Sequence, residues 1–256
     1  MMDEPHVELG SVRMAYGDRE VFRGLSCGFP RGRISVILGG SGSGKSTILR
    51  LIGGLVRPLS GRIVVDGTDI TQLSERRLYD VRRKLGMMFQ GGALLDSLTV
   101  FENLAFPLRE HTRLSESEIA DAVHERLAAV GLDKVDTLLP GELSGGMLKR
   151  AALARAIMME PTILLCDEPF SGLDPVSVKL IEQLLRHINQ TRSITLLVVS
   201  HHIASTMRMA DDVLLLLPDG PVTGTPAELR RSTDRSVAAF LDEDAGERAA
   251  PTPHAP

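Results

Sequence analysis

The sequence predicts an α/β fold in which a mainly parallel sheet is flanked by helices and interrupted by a helical insertion. Three observations carry that expectation. Short apolar runs of strand length recur at Ile34–Leu38, Ile163–Cys166 and Ile194–Val199. Helical patterns separate them, and strand–helix–strand alternation implies parallel pairing with helices on the faces. The stretch from about 91 to 159 instead has a helical pattern throughout and fits as an insertion between two core strands.

Strands open the chain. Val7–Tyr16 and Leu25–Phe29 show partial alternation, and Arg62–Asp66 ends at the turn-forming pair Asp66-Gly67. Ile34–Leu38 is apolar almost throughout, as a strand buried on both faces requires, and it runs through glycines into a helix over Ser46–Leu55. In the insertion, Ser115 and Glu118 form a capping-box pair before a helix that Gly131 stops. A second long helix is predicted over Leu143–Met159, ended by Pro161, and a third over Pro175–Asn189. The tail beyond about residue 242 is acidic and then rich in Ala and Pro, so residues 1–242 are expected to form the folded unit and 243–256 a disordered tail.

Composition excludes some classes. The chain has 256 residues, 43% hydrophobic and 24% charged, with a net charge of −4, a balance that does not favour nucleic acid as a partner. No run reaches the roughly 18–20 apolar residues needed to cross a bilayer. The N-terminus lacks the basic and apolar segments of a secretory signal, so a cytoplasmic location is expected, with any membrane association through partners. Cys27 and Cys166, far apart in sequence, read as free buried thiols.

The chemistry begins at Gly39-Gly40-Ser41-Gly42-Ser43-Gly44-Lys45-Ser46-Thr47, which fits G-x-x-x-x-G-K-[ST] and lies after a buried strand and before a helix. Glycines let the backbone wrap phosphates with its N–H groups inward, and the helix N-terminus adds favourable partial charge. In such a loop Lys45 reaches the terminal phosphates of a nucleotide and the Ser46 hydroxyl ligates Mg²⁺. Asp167 and Glu168 follow the apolar strand Ile163–Cys166, and the carboxyl end of a parallel strand is where ligands bind. Asp167 is suited to hold Mg²⁺ through its water shell, and Glu168 to orient or deprotonate an attacking water. His201 lies just past another buried strand and is a candidate for contacting the terminal phosphate and that water. Successive residues leaving a strand point to opposite sides, so of His201 and His202 we expect His201 to face the site.

With these residues in place the chain resembles the ABC ATPases over nearly its whole length. Leu143-Ser144-Gly145-Gly146-Met147 looks like that family's signature, Ser171-Gly172-Leu173-Asp174 like its D-loop, Gln90 like its Q-loop glutamine and His201 like its switch histidine. Tyr16 matches the aromatic that stacks on adenine. The resemblance implies a P-loop NTPase core with an N-terminal antiparallel β subdomain and an inserted helical subdomain, acting on ATP with Mg²⁺ that Gln90 also helps to bind. Ser144-Gly145-Gly146 opens a helix, so its free N–H groups suit an anion. The family implies that this anion is the ATP of a second copy, making a head-to-tail homodimer with two shared sites, each with a contribution from Asp174.

Met147 stands where the family most often has Gln, and His202 where it often has an acid. Met147, with Phe106–Thr112, Arg150–Ala156 and Leu51–Leu55, looks similar to the ATPase of the Mla-type, MCE-linked phospholipid transporters. That resemblance implies an integral-membrane permease docked on Gly91–Arg109, an MCE-type lipid-binding protein, a small STAS-domain protein as a further partner, and a place on the cytoplasmic face of the inner membrane. An ABC motor for another cargo, such as an amino acid or ion, is the alternative. ABC ATPases of DNA maintenance or translation need a long coiled coil or tandem units that this chain lacks, and a lone P-loop kinase would not carry the signature or D-loop.

Overall fold

A computed structural model describes the backbone of residues 5–247. The chain opens with two long strands, β1 (Pro5–Tyr16) and β2 (Arg19–Pro30), joined by a tight turn. With β4 (Ser60–Val65) and β5 (Thr68–Asp69) they form a four-stranded antiparallel sheet in the order β2-β1-β4-β5. The second sheet has six strands. β3 (Ile34–Gly39), β6 (Leu85–Met88), β7 (Ile163–Asp167), β8 (Thr195–Val199), β9 (Asp212–Leu217) and β10 (Gly220–Gly224) lie in the order β10-β9-β3-β8-β7-β6. All neighbours in it are parallel except the edge hairpin β9–β10.

Alternating side chains of the central strands divide between two cores. Ile163, Leu165, Leu197 and Val199 face the antiparallel sheet, with Ile48, Leu49, Leu51 and Ile52 of α1 (Lys45–Ile52) between the sheets. Leu164, Cys166, Leu196 and Val198 face the opposite way, into the larger core shared with the helices. Burial on both faces is why these strands are apolar at every position rather than at every second one.

Between β6 and β7 the chain forms α3 (Val100–His111), α4 (Glu116–Ala129), a 3-10 turn at Pro140–Glu142 and α5 (Gly145–Ala156), which pack on one another. The Ser115–Glu118 capping box is present, and a second one, Thr99–Glu102, starts α3. Several boundaries differ from expectation: α5 stops at Ala156 and not Met159, and α1 at Ile52 and not Leu55. Residues 91–99 are not helical. Asn103, fully buried, accepts from the Leu95 N–H and donates to the carbonyls of Leu95, Leu98 and Thr99, holding this segment as a loop. Of its apolar residues Leu94 is core and Leu95 is exposed. The helix expected from Leu143 begins at Gly145 because Ser144 serves as its N-cap.

Helices α2 (Glu75–Arg82), α6 (Pro175–Arg192), α7 (Ile203–Met209), α8 (Pro226–Arg230) and α9 (Arg235–Glu247) complete the fold. Helix α9 runs past the boundary expected near residue 242, because Val237, Phe240 and Leu241 dock it on the larger core and helical hydrogen bonding propagates beyond them. The rest of the expected disordered tail, 248–256, lies outside the described residues. Among the described residues no helix is long and apolar enough to cross a membrane. Both cysteines are free; Cys166 is buried, whereas Cys27 is only half-buried, short of the full burial expected for it.

Candidate nucleotide site

The site residues gather where β3, β6, β7 and β8 end. Strand β3, buried throughout, ends at Gly39, and the loop turns back through Gly42 at φ +76° and Gly44 at φ +97° before α1 starts. At Gly44 a Cβ would lie 2.6 Å from both Phe22 and Val21, so the left-handed turn also needs a residue without a side chain. Lys45 folds over the loop, its Nζ donating to the Gly39 carbonyl at 2.8 Å and the Gly40 carbonyl at 3.0 Å. Burial lowers its pKa from the ordinary lysine value, while Glu168 and Asp167 act in the opposite direction. Ser41 and Gly42 lie on the open side of the loop, where a cleft of about 880 Å³ separates it from the start of β2 and the β9–β10 turn. The Ser43 hydroxyl is buried within the loop, and Thr47 is buried in the first turn of α1.

The hydroxyl of Ser46 donates to Asp167 Oδ1 at 2.8 Å, joining the start of α1 to the end of β7. Glu168 is 7% exposed, and its backbone has φ +50°, a left-handed conformation that costs a non-glycine residue about 1–3 kcal/mol. Its N–H donates to the Val199 carbonyl at 2.9 Å, and its carboxylate Oε2 lies 2.8 Å from His201 Nδ1. Of the two histidines, His201 is therefore the one on the acidic pair. The neighbouring His202 turns away, accepting from the Ser205 N–H as the N-cap of α7 and lying 6.1 Å from the Phe170 ring, centroid to centroid. These contacts bring Lys45, Ser46, Asp167, Glu168 and His201 into one constellation.

Other expected site residues stand around it. Gln90 follows β6 with its side chain exposed. Tyr16 ends β1 and is 42% exposed, paired across the hairpin turn with Arg19, which lines the cleft. Ser144 and Gly145 are exposed at the N-terminus of α5, where Ser144 Oγ accepts from the Met147 N–H at 3.3 Å. Met147 is half-buried and packs on the larger core. A Cβ on Gly146 would meet the Ser177 hydroxyl at 2.9 Å, so the signature segment lies close against the start of α6. Asp174 caps that helix, accepting from the N–H groups of Val176 and Ser177 and from the Ser177 hydroxyl. Ser144 and Gly145 are thus exposed at the start of a helix, where backbone N–H groups lack intrahelical partners.

Two residues at the site were not anticipated. Arg19 donates to the Gly42 carbonyl at 3.2 Å, tying the β1–β2 hairpin to the phosphate loop. Lys149 of α5 is buried, its Nζ donating to the carbonyls of Gln90 and Glu168. A signal for Lys149 existed: it shares a helix face with the apolar Ala152 and Leu153, where a lysine is out of place. For Arg19 there was none, because its contact depends on how the hairpin folds over the loop.

Comparisons with known proteins place the chain in a family. The family model for the ABC transporter matches residues 22–171. The intermembrane phospholipid transport system ATP-binding protein MlaF of Haemophilus influenzae is 42% identical over 241 residues, covering 94% of this chain and 91% of that protein. The probable ribonucleotide transport ATP-binding protein mkl of Mycobacterium tuberculosis is 43% identical over 231 residues, with 90% of this chain and 64% of that protein aligned. Among solved structures, a dimeric post-hydrolysis state of the ATP-binding cassette MJ0796, bound to ADP and Pi, is similar with a TM-score of 0.79 at 30% identity, covering 86% of this chain and 98% of that one. The structure of cbiO1 from Clostridium perfringens, part of the ABC transporter complex cbiONQ, is similar with a TM-score of 0.81 at 28% identity, covering 96% and 98%. The chain belongs to the ABC transporter family, as an ATP-binding subunit that hydrolyses ATP.

Proposed function

We propose that the chain powers phospholipid transport, working as a homodimer beneath an integral-membrane permease on the cytoplasmic face of the inner membrane. The observation that carries the cargo is the similarity to MlaF, which spans nearly the full length of both chains. The similarity to mkl, named for ribonucleotide transport, leaves a third of that protein unmatched and carries the second reading. An MCE-type lipid-binding protein and a STAS-domain protein complete the assembly, and the exposed loop Gly91–Thr99 with the following α3 receives the permease. Residues 1–242 act as one ATPase unit with the segment 91–159, helical from Val100 onward, inserted in it.

The site residues divide the reaction. Tyr16 stacks on the adenine. The backbone of Gly39–Thr47 cradles the phosphates, and Lys45 exchanges its carbonyl partners for their terminal oxygens. Glu168 takes a proton from the attacking water as its oxygen bonds to the γ-phosphorus and the bond to ADP breaks, while His201, held by Glu168, donates to the γ-phosphate. Ser46, Asp167 and Gln90 are hard oxygen donors of the kind Mg²⁺ takes, and Ser46 and Asp167 already stand together. Among the described residues no three His, Cys, Asp or Glu are arranged to hold a metal ion by themselves, so phosphate oxygens and water would complete the ion's shell. Bound there, Mg²⁺ would neutralise charge building on the phosphates. Ser144, Gly145 and Gly146 cap the ATP of the partner, with Asp174 beside them, so each site is whole only in the dimer.

Copurification of the chain with its membrane partners, followed by mass spectrometry of the bound small molecules, tests the cargo. Phospholipid retained on the complex supports the reading. A complex that carries ribonucleotide and no phospholipid favours the second, and recovery without any membrane partner contradicts both.

A further inference from the structure

Lys149 poses a physical problem. Its side chain is buried within the helical segment, and no carboxylate lies within ion-pair distance among the described residues. Removing an ammonium from water costs several kcal/mol, and a Met of similar length would fill the same space without that cost. What the ammonium does instead is bind two backbone carbonyls, those of Gln90 and, at 3.1 Å, Glu168. The second is the carbonyl of the residue held at φ +50°. Rotation about the Glu168 N–Cα bond, which would swing its carboxylate away from His201, also moves this carbonyl, so holding the carbonyl resists it. The only other hydrogen bond on this carbonyl among the described residues comes from the Ser171 N–H at 3.2 Å. The first carbonyl fixes the end of β6, from which the loop of residues 91–99 departs. Lys149 itself lies about one turn beyond Ser144–Gly146 on the same helix.

One side chain therefore joins the Gln90 loop, the strained Glu168 peptide and the helix that begins at the exposed signature segment. We propose that Lys149 is a positioning residue that clamps the Gln90 and Glu168 carbonyls to α5, so that movement of α5 or of the Gln90 loop is delivered to the Glu168 carboxylate. It does not touch ATP or the water. The inference rests on Glu168 acting on the attacking water.

The test is a double-mutant cycle on the full chain with Lys149→Met and Glu168→Gln, measuring nucleotide Kd, KM and kcat. If Lys149 acts through Glu168, Lys149→Met lowers kcat by about tenfold or more while Kd and KM stay within about twofold. In the Glu168→Gln background the same change then moves residual turnover by less than about twofold, because the group it positions is already gone. Lys149→Arg, which keeps donors for both carbonyls, recovers most of the lost kcat. A packing role would instead lower kcat equally in both backgrounds, with no recovery by Arg, and that result overturns the proposal, as does a Lys149→Met variant with parental kcat. Should Glu168→Gln alone retain parental turnover, the role of Glu168 falls first and the clamp with it. If Lys149→Met does not fold, Lys149→Gln, whose shorter neutral side chain cannot span both carbonyls, replaces it in the same cycle with the same outcomes.

Discussion

Replacing Glu168 with Gln separates fold from chemistry. The amide has the same shape, and either of its polar atoms can pair with His201, whose Nδ1 lies 2.8 Å from the carboxylate. The backbone bonds at this residue, to Val199 and from Ser171 and Lys149, do not involve the side chain. The stability change should therefore stay within about 1 kcal/mol, the net worth of one hydrogen bond. Turnover is a different matter. An amide cannot accept the proton of the attacking water, and losing a positioned general base costs about 10²–10⁴ in rate, or about 3–5 kcal/mol of barrier. Single-turnover hydrolysis of labelled ATP by the purified variant, beside titration of nucleotide affinity, reads both quantities. The expected result is near-parental affinity with hydrolysis slowed by that factor. Hydrolysis at the parental rate would remove Glu168 from the role of general base.

Other perturbations test other parts of the molecule. Lys45→Ala removes the cation that crosses the Gly39 and Gly40 carbonyls, and nucleotide affinity should fall by about tenfold or more as a charge-assisted phosphate contact is lost. Unchanged affinity by titration would take Lys45 out of the phosphate site. Far from this site, Asp66 accepts from Arg31 at 2.5 Å and Lys84 at 2.7 Å and lies 3.3 Å from the buried His6 ring. The hydrogen bonds from Lys84 and Arg31 hold its carboxyl well below the usual carboxylate range. Its stabilisation is therefore complete above the unfolded value of 3.8 and is lost as pH falls below it. Arg31 and Lys84 are about half exposed, so solvent screens both pairs, and Asp66→Asn should cost about 0.5–1.5 kcal/mol at neutral pH and flatten the acid limb of the stability curve below about pH 4, as urea midpoints across pH would show. Burial lowers the pKa of His6 from 6.5, so the parent should begin to lose stability as pH drops below that value, where the unfolded chain takes up a proton the fold excludes. A parent whose midpoint is flat from pH 7 to 5 would contradict this.

The parts of the site that were legible in the sequence are those whose chemistry needs adjacent residues. Gly39–Thr47 must be contiguous to wrap a phosphate, and Asp167-Glu168 must follow a buried strand to reach the ligand edge, so spacing and apolar context sufficed. The Ser115–Glu118 capping box was legible for the same reason, since both of its bonds are local. Residues 91–99 were not. Their leucines are spaced as on a helix, but Asn103 bonds their backbone into a loop, and a side chain that satisfies distant carbonyls leaves no periodic trace. The same limit hid Arg19, which meets a backbone carbonyl far away in sequence, whereas Lys149 left a trace as a lysine on an apolar helix face. It also hid the Asp66 cluster, where Arg31, Lys84 and His6 converge from separate turns and strands. Longer-range consequences of burial, such as the helical continuation to Glu247, depend on docking and not on local composition.

The central claim is that each ATP site is completed by a second copy of the chain. The molar mass of the Glu168→Gln variant in solution, measured by light scattering with and without Mg²⁺-ATP, addresses it most directly. The account predicts a rise from 27.8 kDa to twice that value on adding ATP, and its abolition by a further Ser144→Arg change that leaves nucleotide binding by the single chain intact. A mass that stays at 27.8 kDa with ATP bound, or a doubling that Ser144→Arg does not disturb, would contradict the shared site.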